Sequence, residues 1–86
     1  MNDMNNAEIH PDDFIVYTDS GSSHLLFGQI IKITAKKVRV KEVWKRHYGR
    51  FFNIYYRFKD PGNILVVPES IVGKELADNI RNAEQR

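Results

Sequence analysis

Along residues 37–43 and again along 52–59, side-chain polarity changes at nearly every step. Val38 and Val40 alternate with Lys37, Arg39 and Lys41, and Phe52, Ile54, Tyr56 and Phe58 alternate with Asn53, Tyr55, Arg57 and Lys59. A repeat of two is the period of a strand with one buried face, and a helix, with 3.6 residues per turn, cannot keep it. Two further runs, Phe14–Thr18 and Leu25–Thr34, are rich in β-branched and aromatic residues and add a first and a second strand. Lys37–Val43 is the third, Phe51–Lys59 the fourth, and Ile64–Val67 a short fifth.

The links between these runs are built from turn formers. Asp19-Ser20-Gly21-Ser22-Ser23-His24 competes for backbone hydrogen bonds and reads as a loop. Thr34-Ala35-Lys36 is a tight connection, and Trp44–Arg50 is a basic loop. In Asp60-Pro61-Gly62-Asn63, Pro presets φ and Gly tolerates positive φ, so a type II turn is expected. Gly28 inside the second strand marks a bulge, a bend or a close backbone approach. After Pro68, the apolar residues Val72, Leu76, Ile80 and Ala83 recur at spacings of four and three, which predicts a helix docking one stripe. Ser70 is its expected cap, and Gly73 weakens its start. Residues 1–10 are polar with little periodicity and are expected to form a flexible tail.

At 86 residues the chain fits one domain. Folding at this size buries about 60–65% of the unfolded surface, so the core is thin. Five short strands and a late helix make an all-β fold, and the length suits an SH3-like barrel better than an OB-fold. The expected layout is a barrel over residues 11–72, followed by a C-terminal helix and frayed tail over 73–86. The segments Asp13-Phe14-Ile15-Val16-Tyr17, Phe27-Gly28-Gln29-Ile30-Ile31-Lys32-Ile33 and Lys37-Val38-Arg39-Val40 resemble the opening of KOW- and Tudor-type SH3-like domains. The likeness covers roughly residues 13–72, and the basic loop at 44–51 departs from the KOW pattern. The charge-segregated chain is also similar to small phage-encoded host-modulating proteins.

The formal net charge of +2 conceals a strong segregation. Residues 32–59 carry ten Lys and Arg against one acid, Glu42, a local charge of +9. The segment before them stands at −5 and the segment after at −2. A basic centre between acidic flanks implies an anionic partner, although alternating basic strands also occur as plain solvated surface. A symmetric hairpin of the third and fourth strands pairs 37 with 57, 39 with 55 and 41 with 53. Lys37, Arg39, Lys41, Tyr55 and Arg57 then share an outer face, with Lys59 near its edge, and Val38, Val40, Phe52, Ile54, Tyr56 and Phe58 lie inside. Trp44, Lys45, Arg46, His47, Tyr48 and Arg50 extend the patch through the loop.

Cations beside aromatic rings suit phosphates and unpaired bases, so the expectation is a nucleic-acid-binding accessory module for RNA or DNA. The alternative is a protein–protein module, an adaptor or inhibitor that engages an acidic surface of a larger enzyme. Asp19, Ser22, Ser23 and His24 are hydrolytic residue types crowded on one loop, where a triad geometry is hard to reach. His10, His24 and His47 lack metal-ligand spacing, and Gly21 and Gly28 match no phosphate-binding loop. Asp12-Asp13 reads as a strand-entry turn. No enzyme activity, cofactor, metal or small-molecule substrate is expected. With no cysteine, no apolar run of spanning length and no signal peptide, a cytoplasmic location without membrane contact is the reading.

Overall fold

A computed structural model describes residues 1–18, 25–45 and 52–83, with the backbone alone at 44–45 and 52–53. The strands are β1 (Phe14–Thr18), β2 (Leu25–Ile33), β3 (Val38–Lys45), β4 (Phe52–Lys59) and β5 (Leu65–Val66). They form one antiparallel sheet in the order β4-β3-β2-β1-β5. Among the described residues no pairing joins β4 to β5, so the sheet is open. Two short helices follow, α1 (Glu69–Val72) and α2 (Lys74–Asn82). No described helix is long and apolar enough to cross a membrane.

Each face of the sheet carries its own core, as the period of two requires. One face gathers Ile15, Tyr17, Ile30, Val38 and Val40 with Ile9 and Ile64. The other gathers Phe14, Phe27 and Val43 under Val72, Leu76, Ala77 and Ile80. The helical stripe is therefore real, with Ala77 in the place expected of Ala83. Gly73 does more than weaken the helix. Its φ of +91° breaks the run into two, a conformation that costs an L side chain dearly. Ser70 lies inside α1 and caps nothing; Pro68 occupies the cap position.

The link at 60–63 is a 3-10 turn over Pro61–Asn63 and not a type II turn. Asn63 N–H bonds Asp60 C=O at 3.0 Å and Ile64 N–H bonds Pro61 C=O, so consecutive i to i+3 bonds replace the positive φ expected at Gly62. Residues 1–10 also depart from expectation, because they pack along β5. The buried Asp3 carboxylate accepts N–H bonds from Asn5 and Ala7 through one oxygen and from Val66, at 2.7 Å, through the other. Met4 N–H bonds Ile64 C=O, and Ile9 enters the core. Local periodicity cannot announce such a segment, since its partners lie some sixty residues away.

Two irregularities shape β2. Gly28 is a close approach: a Cβ there would lie 2.5 Å from Val40 Cγ1 and 3.0 Å from the Lys41 carbonyl oxygen. Three residues later a bulge lets Ile30 pair Val40 while Lys32 pairs Arg39. Ile31 is the extra residue, and the offset moves Lys32 onto the helix face beside Arg39. At the hairpin tip the Thr34 hydroxyl donates to Lys37 C=O and accepts Lys37 N–H, closing the tight connection.

Candidate functional site

The register of β3 with β4 decides what the basic segment presents. Val38 pairs Lys59, Val40 pairs Arg57, Glu42 pairs Tyr55, and Arg39 pairs Phe58. Paired positions sum to an odd number, whereas the symmetric hairpin requires an even one. One residue of parity turns all of β4 over. Arg39 and Lys41 therefore share a face with Ile54, Tyr56 and Phe58, and Tyr55, Arg57 and Lys59 share the opposite face with Val38, Val40 and Glu42. The single outer patch expected from the sequence is divided between the two sides of the sheet.

On the face away from the helices, Glu42 is 1% exposed. Its carboxylate accepts the Tyr17 hydroxyl and, at 2.9 Å, the Arg57 Nε–H. Gly28 makes this geometry possible. It sits between Ile15 and Glu42 in the cross-strand row, and its missing side chain lets the Tyr17 ring lie across it toward β3. Arg57 also stands over the Tyr55 ring at 5.5 Å, and Lys59 Nζ lies 4.9 Å from the centre of the Tyr17 ring. Tyr55 remains 43% exposed.

On the helix face, α2 rests chiefly on β2 and β3. A cross-strand row there reads Lys32, Arg39, Phe58. The Arg39 guanidinium lies 5.0 Å from the Tyr56 ring centre and 5.8 Å from that of Phe58. Its Nε is buried and meets no acceptor, so rings rather than acids hold it. Phe58 is 60% exposed, large for an aromatic side chain. Lys32, Lys36 and Lys37 are exposed around the same end of the β2–β3 hairpin. Among the described residues none of these lysines, nor Arg39, forms an ion pair. Lys41 is buried on this face between Gln29 and Tyr56.

Of the residues singled out from the sequence, then, the exposed Lys37 and the half-buried Arg39 belong to one cation cluster, while Lys41 is largely covered. Tyr55 and Arg57 stand on the other side of β4. Trp44 and Lys45 pair through their backbones with Asn53 and Phe52 at the end of the β3–β4 ladder. Arg46, His47, Tyr48 and Arg50 lie outside the described residues, as do Asp19, Ser22, Ser23 and His24. Tyr56 and Phe58, expected in the core, are surface-side residues of the cluster. Lys32, Tyr17 and Glu42 were not anticipated as contributors. Asp12 and Asp13 form the expected turn, with Asp13 Oδ2 accepting His10 N–H at 2.8 Å. Among the described residues no group of three or more metal-ligating side chains converges.

The chain belongs to the family described as Domain of unknown function (DUF7205), whose model matches residues 1–67. The match takes in the N-terminal segment and the whole sheet and ends before α1. No curated protein and no solved structure matches the chain.

Proposed function

We propose that this DUF7205 member is a non-enzymatic accessory module that binds single-stranded nucleic acid on the helix-side face of β3 and β4, at the end that carries Arg39 and Phe58. The observation that carries the reading is the Arg39 guanidinium held over Tyr56 and Phe58 next to the cation Lys32, neither of them ion-paired among the described residues. Like charges facing each other across a sheet destabilise it, so Lys32 opposite Arg39 is an arrangement that an anion relieves. Phosphates supply that anion, and the exposed Phe58 ring offers a stacking surface to an unpaired base. Duplex DNA hides the faces of its bases, so a protruding ring favours single strands.

An SH3-like barrel is the fold reading that accompanies this function. It draws support from β5 returning beside β1 after one 3-10 turn, and from a curl strong enough for Lys59 of β4 to reach the Tyr17 ring of β1. The KOW and Tudor likeness rests on the same first three strands.

The test is fluorescence anisotropy of labelled single-stranded RNA, single-stranded DNA and duplex DNA against salt. With Lys32, Lys36, Lys37 and Arg39 each neutralising one phosphate, the log–log salt slope for a single strand is about −3. Lys32→Ala reduces the magnitude of that slope by about 0.7. Absence of binding at low salt refutes the proposal, and the cation cluster is then left to an acidic protein surface, which a pull-down from nuclease-treated lysate detects.

A further inference from the structure

The sheet has two edges, and they are treated differently. The β5 edge is occupied: the Asp3 carboxylate accepts Val66 N–H, and Met4 N–H donates to Ile64 C=O. The β4 edge pairs with nothing among the described residues. This open edge is also where aromatic rings emerge on both sides. Phe58, with Tyr56 and Arg39, stands on the helix side, and Tyr55, with Arg57, stands on the other. Tyr55 and Phe58 are three residues apart, about 10 Å along the strand, and both are exposed.

We infer that a bound single strand does not stay on one face but crosses the β4 edge, stacking one base on Phe58 and another on Tyr55. This rests on the nucleic-acid reading above and adds the path of the ligand. Four features support it. The two rings flank one edge of β4, along which no described strand pairs. Each has a guanidinium within 6 Å of a ring on its own side, which sets a phosphate-binding group beside each stacking position. Among the described residues Arg57 bonds Glu42 through its Nε, and its side chain is 40% exposed, so the guanidinium is within reach of a ligand. Arginine on an edge strand also discourages pairing with another strand, which keeps the edge clear for a different kind of ligand.

The experiment titrates the full chain into labelled oligothymidylates from about 4 to about 16 nucleotides, a range that brackets the sites of small barrels. Phe58→Ala is expected to weaken binding at every length, by about 5-fold to about 150-fold. Tyr55→Ala is expected to weaken only oligonucleotides long enough to reach both sides, by a similar factor, and Tyr55→Phe restores them. Circular dichroism of each variant confirms the fold, which the exposure of both rings favours. If Tyr55→Ala binds every length as the wild type does while Phe58→Ala is impaired, the crossing is refuted and the one-face reading stands. If Phe58→Ala and Tyr55→Ala both bind as the wild type does, neither ring stacks and the crossing is refuted. If the wild type binds no oligonucleotide, the nucleic-acid reading falls and the crossing falls with it.

Discussion

Replacing Arg57 separates the two possible faces of β4 by their energetics. In the symmetric hairpin expected from the sequence, Arg57 is an outward surface cation, and its loss changes stability by no more than about 0.5 kcal/mol. In the structure its Nε–H meets a carboxylate whose side chain is 2% exposed. A hydrogen bond to a charged group contributes about 1.5–3 kcal/mol, and breaking a fully buried pair costs about 3–5 kcal/mol. Arg57 is itself 40% exposed, so water screens part of the attraction, and the Tyr17 hydroxyl remains on the carboxylate after the substitution. Arg57→Ala should therefore cost about 2 kcal/mol. For a domain of this size that lowers Tm by about 8–16 °C. Urea denaturation followed by circular dichroism reads the difference directly, with the m-value reporting whether the denatured state also changed. A cost below about 0.5 kcal/mol would refute the odd register and return Arg57 to the surface.

Three further outcomes follow from particular contacts. Gly28→Ala places a methyl group 2.5 Å from Val40 Cγ1 and against the Lys41 carbonyl, so urea denaturation should show a loss of about 3 kcal/mol, whereas Gly62→Ala, which meets nothing within 4 Å, should be nearly silent. At Asp3, burial pushes the carboxyl pKa up, but backbone N–H bonds from Val66, Ala7 and Asn5 outweigh it and hold the pKa below the usual 3.8. The depressed value means that Asp3 contributes stability fully above about pH 4, which is lost as pH falls through the folded pKa. Stability measured against pH should thus show a steeper acid limb for the wild type than for Asp3→Asn. Finally, Lys32→Ala, which removes a like charge from across Arg39, should raise Tm slightly while flattening the salt dependence of nucleic-acid binding.

The strands were legible because alternation is local: β1 falls on the five residues that its β-branched and aromatic content marks, and the other four lie within two residues of expectation. The register was not, because β4 is apolar or aromatic on both sides. Phe52, Ile54, Tyr56 and Phe58 outweigh Tyr55 in any hydrophobic count, so pattern alone turns that face inward. The missing signal is Glu42. It shares the parity of Val38 and Val40, the inner stripe of β3, and an acid on an inner stripe needs a cation across from it or beside it. Only an odd register brings Arg57 to that side. Reading the lone acid of the basic segment as a demand on β4, and not as a minor offset to +9, would have recovered both faces. The N-terminal segment was illegible for a different reason: Asp3 finds its purpose only when Val66 is beside it, a contact that no window of sequence contains.

The unequal edges of the sheet also limit how copies of this chain can associate. Strand addition needs a free row of backbone groups on each participant, and here one row is already spent on Asp3 and Met4. Two copies meeting through their β4 edges would use up the open row that each offers among the described residues, and a third would find no described strand to extend. Edge pairing in this molecule is therefore self-terminating at a pair. Loss of the Asp3 carboxylate would open the second row and turn a chain stopper into a link.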